Sequence, residues 1–149
     1  MLAIGTNDGI VCIERYGNEW ALATKALEGI RIDDVSQFEG TTIVATERGV
    51  FESNDNWVTW TNALSDVDAR CVAISSEGTV YVGTDGAYVY RKLPGENKYT
   101  ELTSFRELPT VWSWSFPVSP HLPNIRSIVI SPTDPAYIYV GVEVGGVMA

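Results

Sequence analysis

A chain of 149 residues, 45% hydrophobic and 19% charged, has the length and composition of one folded domain rather than of a disordered segment. Nineteen acidic against ten basic residues leave a net charge of −9, which repels phosphate backbones and argues against a nucleic-acid partner. No apolar run reaches the roughly 20 residues of a membrane-spanning helix, and the first residues carry no leader-like pattern, so no membrane association and a cytoplasmic setting are expected.

In chain order, strand-like runs alternate with turn signals. Labelling the strands of a blade a to d from the axis outward, residues 1–6, 10–15 and 19–24 read as b, c and d of a first blade. Residues 33–38, 42–46, 49–53 and 59–63 read as a complete second blade, and 70–75, 79–84, 87–92 and 99–103 as a third. A fourth starts with 125–131 and 136–142 and runs to a stub at 147–149. The division is supported by self-similarity: Gly9 and Trp20 are spaced like Gly49 and Trp60, forty residues on, and Val82-Gly83-Thr84-Asp85-Gly86 repeats the pattern. A period near forty residues of short strands is a propeller signature. The expected fold is therefore an all-β propeller of four-stranded antiparallel blades, about three and a half per chain, at 1–24, 33–63, 70–103 and 125–149. A long connection at 104–123 joins the last two.

Propellers close with about 4–8 blades, so the chain is expected either to complete a ring with a second copy, as a homodimer of about seven blades, or to be one piece of a larger propeller. Cys12 and Cys71 sit in alternating apolar strands and read as buried free thiols.

Ser53-Asn54-Asp55-Asn56-Trp57-Val58-Thr59-Trp60 resembles the Asp-box, S-x-D-x-G-x-T-W, of BNR-repeat proteins, the superfamily of sialidases and related glycosidases. Ser53, Asp55, Thr59 and Trp60 match, and Trp57 stands where the pattern has glycine. The resemblance implies a structural c–d turn locked by side chain to backbone hydrogen bonds, with the terminal tryptophan packed between blades. The replaced glycine puts a positive-φ position in question. Trp112 to Pro117, the strand from Ile125, Ser131-Pro132-Thr133-Asp134-Pro135 and Gly141-Val142-Glu143-Val144-Gly145-Gly146 resemble uncharacterised BNR-repeat proteins described as glycosyl-hydrolase-like.

Alternating strand direction puts the b–c turns and d–a connections on one face. Asp8, Glu47, Arg48, Asp85 and Glu143 fall there, beside a loop holding Trp112, Trp114, Phe116 and His121. Aromatic platforms beside carboxylates grip sugars, so Trp112, Trp114, His121, Arg126 and Glu143 are the candidate ligand-binding residues. Hydrolysis of a glycoside requires two carboxylates, and Asp85 and Glu143 are the candidate catalytic pair. No zinc spacing, P-loop or nucleophile elbow is present, and neither a metal nor a cofactor is implied. The leading expectation is a binding or scaffold protein for a carbohydrate or protein ligand. A glycosidase-like hydrolase and an inactive propeller fragment are the alternatives.

Overall fold

The computed structural model describes residues 2–149; Met1, expected to open the first strand, lies outside them. Among the described residues, fourteen strands form four antiparallel sheets. The first contains β1 (Leu2–Thr6), β2 (Gly9–Tyr16) and β3 (Glu19–Ala26). The second contains β4 (Ile32–Phe38), β5 (Thr41–Thr46), β6 (Gly49–Ser53) and β7 (Thr61–Leu64). The third contains β8 (Ala69–Ile74), β9 (Val80–Thr84), β10 (Val89–Lys92) and β11 (Thr100–Glu101), and the fourth β12 (Ile125–Ile130), β13 (Ile138–Val142) and β14 (Gly146–Met148). Within each sheet the strands run in chain order, and β4, β8 and β12 line up as the innermost strands. This is a partial β-propeller. β1 lies against β4 as β5 lies against β8 and β9 against β12. That places β1 second in its blade, with no inner strand beside it among the described residues.

The period of two along each strand sends alternate side chains to the preceding and the following sheet. Three cores result. Ile10 and Cys12 meet Ile32, Val44 and Trp57 between the first two sheets, Ile43, Ala45 and Val50 meet Ala69, Val72 and Val82 between the next two, and Cys71, Tyr81 and Val89 meet Ile125, Ile128 and Val140 at the last junction. Each junction repeats one contact. Gly5, Ala45, Gly83 and Gly141 occupy the same register position, opposite Ile10, Val50, Val89 and Val147. At the first, a Cβ would stand 2.8 Å from Ile32 Cγ2, and at Gly83 it would collide with Ile125. Ala45 faces Ala69 in the same core. Ile32, Ala69 and Ile125 are themselves equivalent, each opening an inner strand just before a bulge. The inner-strand residue of one blade is thus a knob seated in the socket left by a small residue of the blade before. At Gly141 the added atom would meet only Ser127 of its own sheet, so that socket is empty.

Both ends of the arc leave an apolar sheet face uncovered. On the first sheet the rows Leu2, Ile13, Leu22 and Ile4, Val11, Lys25 point away from the second sheet, with Trp20 beside Arg15. On the last, Val129 and Tyr139 pair, next to Ser127, Gly141 and Val147. Leu2, Leu22, Val129, Tyr139 and Val147 are exposed.

Several expectations need adjusting. β2 runs one residue and β3 two residues past the expected ends, about a turn at Gly17, and they pair Cys12 with Thr24 where the second sheet pairs Glu52 with Thr61. Ala23, not Trp20, is therefore the counterpart of Trp60, and Trp20 lies 53% exposed on the free face. The outer strand of the third sheet is only β11, because α1 (Thr103–Arg106) follows at once. The connection read as a plain loop holds that helix and a 3-10 turn at Val111–Ser113.

Candidate functional site

The bulge at the start of each inner strand decides what gathers at the axial face. In β4, β8 and β12 the register slips across Asp33, Arg70 and Arg126, so these extra residues are turned out of the ladder. Two residues earlier stand Arg31, Asp68 and Asn124. The acids that follow each second strand, Glu47, Asp85 and Glu143, close the same ring. Each blade makes its own pair: Arg31 to Glu47 at 3.6 Å, Arg70 to Asp85, and Arg126 to Glu143 at 2.9 Å. Between the second and third sheets the charges cross reciprocally, Arg31 reaching Asp68 at 3.3 Å and Arg70 reaching Asp33 at 3.6 Å.

These pairs are partly exposed, which limits what each adds to stability. Their arrangement still orders the rim. Burial pushes the Asp68 carboxyl up; Arg70 and Arg31 oppose the rise, and Asp85 and Asp33 add to it. The hydrogen bond that Arg70 donates to Asp85 holds its guanidinium firmly in the charged form.

Asp85 and Glu143, the candidate catalytic carboxylates, come together through Asn124. The backbone of Asn124 bridges Asp85 and accepts the Glu143 N–H at 2.8 Å, while its amide donates to Glu143 Oε2 at 2.8 Å. Both oxygens of Asp85 face the Arg70 guanidinium, and Glu143 Oε1 takes Arg126. Every oxygen of the pair already holds a donor. Asp8, at the corresponding turn of the first sheet, is bound by Lys25 and by the backbone N–H of Gly29.

The long connection supplies a cleft of about 390 Å³ next to this rim, walled by Asp85, Tyr88, Arg106, Trp112, Trp114 and Leu122. The Arg106 guanidinium stacks 4.1 Å above the Tyr88 ring. Trp112 is 94% exposed and stands free over the opening. Trp114 is buried, 6% exposed, against Phe105 at 5.6 Å and close to Gly145, so it anchors the loop and gives the cleft only an edge. His121 turns back on its own loop, with Nδ1 2.8 Å from the Phe116 carbonyl. Arg126 remains more than half exposed on the rim. The structure therefore groups Asp85, Trp112 and Trp114 at the cleft and joins Glu143 and Arg126 to them through Asn124, with His121 outside its walls.

Sequence reasoning missed Arg31, Asp33, Asp68, Arg70 and Arg106. A signal for four of them was present: once the inner strands are aligned, a charged residue recurs two places after Arg31 and Asp68. Arg106 had none, because its position depends on α1.

The c–d turn of the second sheet is tied together by side-chain hydrogen bonds. Ser53 Oγ donates to Asp55 Oδ1 at 2.9 Å, the Thr59 N–H to the same oxygen at 2.9 Å, and the Thr59 hydroxyl to Oδ2 at 2.6 Å. The Thr59 hydroxyl and backbone N–H hold the Asp55 carboxyl below its ordinary value. Trp57 is left-handed, at φ 72°, and is 7% exposed with Nε1 donating to Thr42 Oγ1 at 2.8 Å. Trp60 packs against it at 5.9 Å.

No family model matches the chain, and no curated protein matches it. Among solved structures it is similar to one described as YCF48 bound to D1 peptide, at 13% identity, over 93% of this chain and 55% of that one, with a TM-score of 0.38. The chain thus spans about 55% of that structure's length.

Proposed function

We propose that this chain is a binding scaffold built on a β-propeller, with its ligand site in the Trp112 cleft. The observation that carries the reading is the 94% exposure of Trp112 above a cleft that also offers the Tyr88 and Arg106 stack and the edge of Asp85. An exposed ring held on an ordered loop loses little conformational freedom on binding, and a neighbouring carboxylate supplies acceptors for hydroxyls. A carbohydrate is the ligand class this combination suits. The hydrogen bonds around Asp55 support grouping the chain with Asp-box propellers.

The arginine contacts of Asp85 and Glu143 favour binding over hydrolysis. A glycosidase needs one carboxyl to deliver a proton and another to attack or activate water, whereas here guanidinium groups occupy both candidates. Titration calorimetry against a panel of neutral oligosaccharides tests the reading. Saturable heat that Trp112→Ala reduces at least tenfold, with no sugar cleaved, is the expected result; equal binding by the variant, or product release by the parent, overturns it.

The uncovered end faces support a second element of the same reading, that a second copy completes the ring. Light scattering at several dilutions checks it, with a stable particle near twice 16.3 kDa expected.

A further inference from the structure

Wedge-shaped gaps open between neighbouring sheets on the face of the c–d turns, and they are not filled alike. Between the first and second sheets the wedge is walled by Cys12, Glu14, Thr24 and Gln37, and the Trp57 indole sits in it, leaving about 330 Å³. Strand register puts Glu52, Asn54, Thr61 and Ile74 at the same stations between the second and third sheets. There the c–d segment carries Pro94 and Gly95 in place of the serine and aspartate turn. It matches Trp60 with Tyr99, since Thr100 pairs with Arg91 as Thr61 pairs with Glu52, but it has no counterpart of Trp57. The wedge stays open, at about 740 Å³.

The open wedge combines apolar and charged walls. Phe38, Ile43, Ile74, Val80 and Pro94 give it apolar walls. On one side the Glu52 side chain, 10% exposed, accepts Lys92 Nζ on both oxygens and the Tyr99 hydroxyl on Oε1. Thr42, which receives the Trp57 N–H in the filled wedge, has Val80 as its counterpart here, and the acceptors lining the space are Glu52 with Thr41, Asn54 and Thr61. Glu39, Glu52 and Glu96 outnumber Lys92 and Lys98 on the walls. Among the described residues Glu39 and Lys98 make no ion pair.

We propose that this wedge is a docking site for a tryptophan side chain of a partner polypeptide, presented beside a lysine or arginine. The indole takes the station that Trp57 fills one blade earlier, and the flanking cation meets the acidic excess at the mouth. Aromatic anchors seated in preformed pockets are a common source of interface affinity. The site is independent of the Trp112 cleft, which lies on the opposite face, so either reading can fail alone.

The test is an amide NMR titration of the full chain with the capped tripeptide Lys-Trp-Lys, using Lys-Ala-Lys as the control. Saturable shifts confined to the neighbourhood of Glu52, Gly78, Val80, Lys92 and Asn97 are expected from the first peptide and none from the second. Thr61→Trp and Asn97→Trp, one substitution on each wall, fill the wedge from within the chain, and at least one folded variant is expected to weaken binding tenfold or more. Absence of saturable shifts, equal shifts with the alanine peptide, shifts centred on Trp112, or unchanged binding in every variant that folds each overturns the proposal.

Discussion

Trp57 shows how one side chain can hold a turn that its own backbone disfavours. A left-handed conformation costs a non-glycine residue about 1–2 kcal/mol, whereas removing a buried tryptophan costs about 3–5 kcal/mol. Trp57→Gly relieves the first and incurs the second, so a net loss of about 2 kcal/mol is expected in urea unfolding. The positive φ at this position was legible in the motif; that a tryptophan would tolerate it was not, because the compensation comes from Thr42 and from the neighbouring sheet. Asp55 adds a pH signature. Its carboxyl is held below the ordinary value, so its contribution is present above about pH 4 and fades as pH falls through the lowered value. The stability deficit of Asp55→Asn should therefore narrow on acidification, measured by thermal melts between pH 7 and 3. The two thiols give a further check: burial pushes Cys71 up to about 12 and also raises Cys12. Neither should react with a disulfide reagent at pH 8 until the chain unfolds.

At the scale of strands, the junctions obey a size rule rather than a hydrophobicity rule. Gly83 admits Ile125 because it has no Cβ, while Ala45 meets the smaller Ala69. Gly83→Ala is expected to cost about 1–3 kcal/mol by overpacking. In the background of Ile125→Ala the added penalty should shrink without vanishing, since the Cβ at position 125 and the Cys71 sulfur still crowd the added methyl; a denaturation cycle measures the coupling. Gly141→Ala, whose only neighbour is the Ser127 hydroxyl of its own sheet, should be nearly neutral in the isolated chain. Strand positions were readable from alternation and turn residues, and most boundaries differ little from those expected. The outer strands were the least readable: β3 slid relative to the motif spacing, and β11 gave way to α1, because outer strands pair along one edge and have fewer partners to set their register.

For the molecule as a whole, the repeat declared the architecture while leaving the axial charges unannounced. Arg31, Asp33, Asp68 and Arg70 are unremarkable in the chain and meet only because consecutive bulges turn them toward one another across two blades. Candidate aromatics were legible as a loop rich in tryptophan and proline, but nothing in that composition separates the exposed Trp112 from the buried Trp114.

The empty socket at Gly141 gives the arc a direction. Every junction sets an inner-strand knob into the sheet before it, so the two ends are unlike surfaces: the last sheet offers an empty socket, and the first has no inner strand among the described residues to supply a knob. Two last sheets brought face to face would oppose glycine to glycine with no side chain to fill the space. Head-to-tail contacts close into a ring only when the rotation between copies suits; otherwise they extend without limit. The same joint that would complete a ring would then, with a small change of angle, produce fibres, and capping the Gly141 face would be the means of stopping them.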